Sequence, residues 1–176
     1  MQSPPALPSL GCVPSPGTEV STTIEATPTR VWRLVSDIEL MPTLSNELQS
    51  VEWLGCDGPG LGAKFIGINR HSAMGEWTTQ SEVIEWDAPR VFAWAVGGRE
   101  RPAAIWRFTL APTDNVTTLT YRVQLGPGTS GVTLLVGREP DREQMIVAAR
   151  LRQFDEAMTA TVAGIKTLAE ASTADS

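Results

Sequence analysis

Histidine occurs once in this 176-residue chain, at His71, and tyrosine once, at Tyr121; cysteine occurs twice, at Cys12 and Cys56. One histidine and two widely separated cysteines offer no metal-ligand spacing, and a disulfide framework needs more cysteines. The pair reads as reduced thiols of a cytoplasmic protein, and neither a metal nor a cofactor is expected. No apolar run approaches the ~20 residues that span a bilayer. The opening MQSPPALPSLGCVPSPG lacks the basic n-region and unbroken apolar h-region of a secretory signal. Charge is sparse and mostly of one sign. Charged residues make up 19% of the chain, and 14 basic against 20 acidic side chains leave a net charge of −6. A protein that grips a phosphate backbone is basic, so nucleic acid is not an expected partner. Catalytic patterns are missing too. GPGLG and GPGTSG are turn glycines without the strand–loop–helix setting of a phosphate site, and no Ser–His–Asp order is present.

What is there is apolar and flat. Hydrophobic residues make up 41%, enough for a core, and six tryptophans stand against the one tyrosine. The length suits one domain. Residues 1–17 hold five prolines and no periodicity, and are expected to be a disordered tail. The folded domain is expected over 18–171, with a frayed end at 172–176.

Within it, residues 19–26 alternate as a first strand. Thr27 and Pro28 then make a helix start, with Thr27 as cap, and Val31, Trp32, Leu34 and Val35 carry helical spacing to 36. Asp37 can cap a second short helix near 39–44. From 48 the period changes to two, and strands are predicted over 48–54, 64–70, 77–86, 91–96, 104–111 and 117–125. A short helix is predicted at 132–136 and a long one from 140. Val147, Leu151, Phe154, Met158, Val162, Ile165 and Leu168 form its apolar stripe. The order is therefore β, α, α, six β, long α. A seven-stranded antiparallel sheet must bury one face, and only the last helix is long enough to cover it. A bent sheet gripping one helix leaves a cavity, which is a ligand site by default.

Several stretches carry a family likeness: VSTTIEATPTRVWRLVSDIELMP, VEWLG, GAKFIGINR, EWTTQSEVIEWDAPRVFAWAV and AAIWRFTLAP with TTLTYRV. The chain resembles the START/birch-pollen-allergen superfamily, also called SRPBCC, and within it the bacterial polyketide cyclase/dehydrase-like branch. The resemblance spans about 19–170. It implies the α+β helix-grip fold: a curved seven-stranded antiparallel sheet wrapped around a long C-terminal helix, with two short helices after strand 1. It also implies a hydrophobic ligand such as a lipid, sterol, quinone, plant hormone or polyketide. A minority of such proteins cyclise or dehydrate polyketide chains, and the family carries no universal catalytic motif.

Strand parity sorts candidate lining residues. Trp106, Phe108 and Leu110 share a face, as do Leu119, Tyr121, Val123 and Leu125, and also Phe92, Trp94 and Val96. Charge at Lys64, Arg70 and Glu82 points Phe65, Gly67 and Asn69 inward, with Trp77, Thr79, Ser81 and Val83; a bulge in the long fourth strand can reverse either half. The expected ligand-binding set is Phe65, Asn69, Trp77, Thr79, Ser81, Trp94, Trp106 and Tyr121, with no catalytic residue assigned. Asn69, Thr79 and Ser81 are either polar points for a ligand or partners of one another. His71 is expected in an exposed hairpin loop, and Arg30, Arg33, Arg99 and Arg101 on a solvated surface. The entrance is expected where glycine and proline loosen 126–137. The expected function is a binding or carrier protein for a small hydrophobic molecule, monomeric or homodimeric and without stable membrane insertion. The alternative is a polyketide or aromatic-ring cyclase or dehydrase, with Tyr121 the first suspect.

Overall fold

Alternation after Gly17 makes a strand, and the ring of Pro28 turns the chain into a helix directly behind it. The computed structural model describes residues 15–55 and 58–171. The readings of Cys12, Cys56 and the 172–176 end lie outside the described residues, as does most of the proline-rich tail. Strand β1 (Gly17–Ile24) leads to α1 (Pro28–Val35), a 3-10 turn (Ile38–Leu40) and α2 (Met41–Leu44). Six strands follow: β2 (Leu48–Leu54), β3 (Lys64–His71), β4 (Gly75–Asp87), β5 (Val91–Val96), β6 (Ala104–Thr113) and β7 (Val116–Leu125). Then come α3 (Gly131–Arg138), a 3-10 turn (Pro140–Arg142) and the 29-residue α4 (Glu143–Ala171). The strands form one antiparallel sheet in the order β1-β7-β6-β5-β4-β3-β2. This is the sheet-and-long-helix arrangement that the element order predicts and the helix-grip fold that the resemblance implies.

The first strand starts at Gly17, two residues before the alternating stretch. Gly17 pairs with Gln124, and a Cβ there would lie 2.5 Å from the Val123 carbonyl oxygen, so only glycine fits. Thr27 holds the extended cap position, yet its hydroxyl makes no capping hydrogen bond. Asp37 does cap: its Oδ1 accepts from the Glu39 amide at 3.1 Å.

The α4 stripe buries Phe154, Met158, Val162 and Ile165, but ends on Ala169 rather than Leu168, which is 40% exposed. The reason is close packing at α1. Arg30 reaches across to donate from Nε to the Ala169 carbonyl at 2.6 Å and from Nη2 to the Leu168 carbonyl at 3.2 Å. A small residue there lets the two helices meet, and the guanidinium satisfies the open carbonyls of the helix end. Arg30 is thus a structural cap and not solvated surface. Arg99 and Arg101 also have partners, Glu82 at 3.4 Å and the Pro127 carbonyl at 3.2 Å.

Beside this cap, Glu170 Oε1 accepts from Lys166 Nζ at 2.8 Å and from the Glu25 amide at 2.9 Å. The lysine hydrogen bond first, then the amide, hold its pKa below the usual carboxylate value. A depressed pKa contributes stability above the unfolded pKa and loses it as pH falls through the folded one. Glu170→Gln is therefore expected to flatten the low-pH decline of the melting temperature. An unchanged profile in thermal melts would refute this.

The segment 126–128 is held rather than loosened. The Gly126 and Gly128 amides donate to the Ala103 and Pro102 carbonyls, each at 2.9 Å. A Cβ on Gly128 would lie 2.4 Å from the Arg101 carbonyl oxygen, so these glycines permit a close backbone approach.

Candidate ligand site

Antiparallel partners share a face, so the registers sort the side chains. Phe65 stands opposite Ser81, Gly67 opposite Thr79, and Asn69 opposite Trp77. Trp94 stands opposite Val83 and Trp106, Trp106 opposite Val123, and Phe108 opposite Tyr121. Trp106 meets Phe154 of α4 edge-on, with 5.0 Å between ring centroids. All eight expected lining residues therefore share the inner face of the sheet, and Trp106 among them meets α4.

A bulge decides the rest of β4. The register passes from Val83 opposite Trp94 to Glu85 opposite Ala93, leaving Ile84 extra. Beyond it the faces exchange. Glu85 turns outward to Arg107 at 2.6 Å, and Trp86 turns inward between Trp32 at 5.2 Å and Phe92 at 5.1 Å. Plain parity would bury Glu85 and expose Trp86, which is itself the signal that a bulge was required.

The inner face is graded along its length. Val83, Phe92 and Phe108 are sealed, whereas Asn69, Trp77, Thr79, Trp94 and Trp106 are only half-buried. Trp94 and Trp106 stack at 6.3 Å with 10° between planes, and Tyr121 lies flat on Phe108 at 4.0 Å. Phe65 bridges Trp94 at 6.1 Å and Trp53 at 5.4 Å. The result is an aromatic wall across β2 to β7. Gly67 thins it: a Cβ there would meet Leu48 Cδ1 at 3.0 Å and Thr79 Oγ1 at 3.2 Å.

The polar groups on this wall divide into two kinds. Asn69 Nδ2 donates to Thr79 Oγ1 at 3.2 Å, and Thr79 Oγ1 donates to the Gly67 carbonyl at 3.4 Å. These two are partners of one another. Ser81 and Tyr121 differ. They are only 3% and 8% exposed, yet neither side chain makes a hydrogen bond among the described residues. No side-chain nitrogen or oxygen among those residues is both sealed and unpartnered. Both hydroxyl oxygens must therefore touch accessible space. The indole N–H groups of Trp94 and Trp106 are in the same position. In a filled core such groups find partners. Burial pushes the Tyr121 phenol above its ordinary pKa, so it stays a neutral donor.

His71 is not in the loop. It ends β3 opposite Gly75, on the parity of Asn69, because the hairpin ladder extends one residue further than its sequence suggests. Its Nδ1 accepts from the Ala73 amide at 3.2 Å. Among the described residues no group of three His, Cys, Asp or Glu side chains could hold a metal ion. Sequence reasoning missed Trp53, Trp86 and Arg150. Arg150 is 13% exposed, pairs with Glu47 at 2.6 Å, and lies 4.2 Å above the Phe154 ring. A charged residue between Val147 and Leu151 reads as solvated face from spacing alone.

Seven antiparallel strands gripping one long helix, with an aromatic inner wall, define a helix-grip protein of the SRPBCC superfamily. The chain belongs to the family described as polyketide cyclase/dehydrase and lipid transport, which it matches over residues 16–170. Among solved structures it is similar to the polyketide cyclase-like protein Cgl2372 of Corynebacterium glutamicum, at 26% identity and TM-score 0.64, covering 86% of this chain and 90% of that one. The Zhui aromatase/cyclase of Streptomyces sp. R1128 shares the fold at 18% identity and TM-score 0.65, covering 86% and 94%. Ara h 8.0201 shares it at 14% identity and TM-score 0.54, covering 85% and 96%. No curated protein matches the sequence.

Proposed function

We propose that the protein binds a small, largely apolar molecule between the inner face of the sheet and α4. The observation that carries this is the pair of nearly buried hydroxyls, Ser81 and Tyr121, that reach accessible space without a protein partner. Half-buried Trp77, Trp94 and Trp106 offer flat apolar area beside them, with Phe65, and Asn69 and Thr79 add polarity at one end. A ligand with one or two oxygens suits this mixture. No helix among the described residues is long and apolar enough to cross a membrane. The proposed setting is the cytoplasm, with the protein as monomer or homodimer and no cofactor.

The test is a screen of fatty acids, sterols, quinones and aromatic polyketides by thermal shift and tryptophan fluorescence. A ligand at 100 times its dissociation constant is expected to stabilise the fold by about 2.7 kcal/mol. Asn69→Ala is expected to weaken oxygen-bearing ligands and leave hydrocarbon analogues unchanged. If no class shifts the melt or the fluorescence, the binding reading falls.

A second reading, a polyketide or aromatic-ring cyclase or dehydrase, draws on Tyr121. A neutral phenol with a free O–H can donate a hydrogen bond to a substrate carbonyl oxygen and stabilise the negative charge that develops there. Tyr121→Phe separates the two readings. A carrier is expected to lose ~0.5–1.5 kcal/mol of affinity with the hydroxyl. An enzyme that uses it as acid is expected to lose ~10²–10⁴-fold in turnover.

A further inference from the structure

The covering of the inner face is uneven. α4 is tied to β1 by Thr18 Oγ1 donating to Asp155 Oδ1 at 3.1 Å, and to α2 by Thr161 Oγ1 donating to the Leu44 carbonyl at 3.3 Å. Nearer its start, one ion pair among the described residues reaches from α4 to the β2 side of the sheet. Arg150 donates from Nη2 to Glu47 Oε1 at 2.6 Å and from Nη1 to Glu47 Oε2 at 3.0 Å. The turn before it leaves Met145 exposed and makes no such tie.

The position of this pair is informative. Glu47 immediately precedes Leu48, whose Cδ1 lies against Gly67 beside the Asn69–Thr79 end of the wall. Arg150 lies over Phe154, and Phe154 lies against Trp106 at the other end. The ion pair therefore joins the start of the edge strand β2 to α4. Its forked geometry fixes the distance between β2 and α4. Arg150 and Glu47 are 13% and 24% exposed, and opening the pair returns both charges to water, which offsets much of the lost attraction. It can therefore open without unfolding the protein.

We propose that the Glu47–Arg150 ion pair is a strap that closes the ligand space on its β2–β3 side, and that ligand enters and leaves when it opens. This rests on the binding reading above. It requires no change in the wall that holds the ligand. The strap thus governs rates of exchange more than affinity.

The experiment uses the full chain and the neutral dye Nile red, followed by stopped-flow tryptophan fluorescence. The slope of observed rate against dye concentration reports association, and the intercept reports release. In Glu47→Gln and Arg150→Gln, both rates are expected to rise about tenfold, with the dissociation constant changing far less. The double variant is expected to be no faster than either single one. The exchanged pair Glu47→Arg with Arg150→Glu is expected to return toward the wild-type rates, a rescue that loss of packing would not show. Rates within about twofold of wild type in folded single variants would overturn the strap while leaving the binding reading intact. Failure of both single variants to fold would also overturn it, since the pair would then be structural. If wild-type protein binds no dye, the binding reading and the strap fall together.

Discussion

Phe108→Ala is expected to destabilise the fold by about 3–5 kcal/mol. Phe108 has no exposed surface, stacks on Tyr121 at 4.0 Å, and faces Phe92 across the β5–β6 ladder. Trp94 adds a tilted contact at 5.9 Å. The neighbours sit on hydrogen-bonded strands, so they cannot collapse into the vacated volume, and the cavity term adds to the lost burial. A loss of this size is a large part of the ~5–15 kcal/mol that holds a domain together. Phe108→Leu keeps most of the volume and is expected to cost under about 1.5 kcal/mol. Denaturant titrations of both variants are the check. A loss under about 1 kcal/mol for the alanine variant would mean that this end of the wall is not packed as described.

Trp106→Ala is expected to weaken ligand binding by about 2–4 kcal/mol, or about 30- to 1,000-fold. Trp106 sits where the wall turns toward the helix. It stacks on Trp94, contacts Tyr121 at 5.4 Å, and meets Phe154 on α4. Its ring is half-buried, so a ligand completes its burial, and removing it takes away contact area from both sides. The measurement is a titration with whichever compound the screen returns, compared with wild type at matched fold content. Affinity within about threefold of wild type would move the ligand off this wall.

The elements were legible because each rests on local chemistry. The spacing of Phe154, Met158, Val162 and Ile165 could only be a helix, and β2 and β5 run over the residues that their alternation predicts. The faces of β3, β6 and β7 followed from charge: a slip of one residue would have buried Lys64, Arg107 or Arg122. A bulge in β4 was allowed for, but its place at Ile84 was not, because nothing in the strand's alternation up to Val83 marks it. Leu168 was misread because α4 stays nearly uniform in apolar content there. Only the approach of α1 says which of Leu168 and Ala169 is covered.

Periodicity and charge along the chain thus settle which residues become strands and helices, and which side of each turns away from water. Those choices depend on neighbours two to four positions away. Arg30 on the end of α4, Arg150 on Glu47, His71 in the ladder, and Ser81 and Tyr121 without partners are facts of another kind. Each depends on residues brought together from distant parts of the chain, and on whether the space between them is filled. A sequence carries no record of which carbonyls a helix end leaves open, or of how much volume remains between a sheet and its helix. Packing decides both, and the proposed site rests on the hydroxyls that packing left without partners.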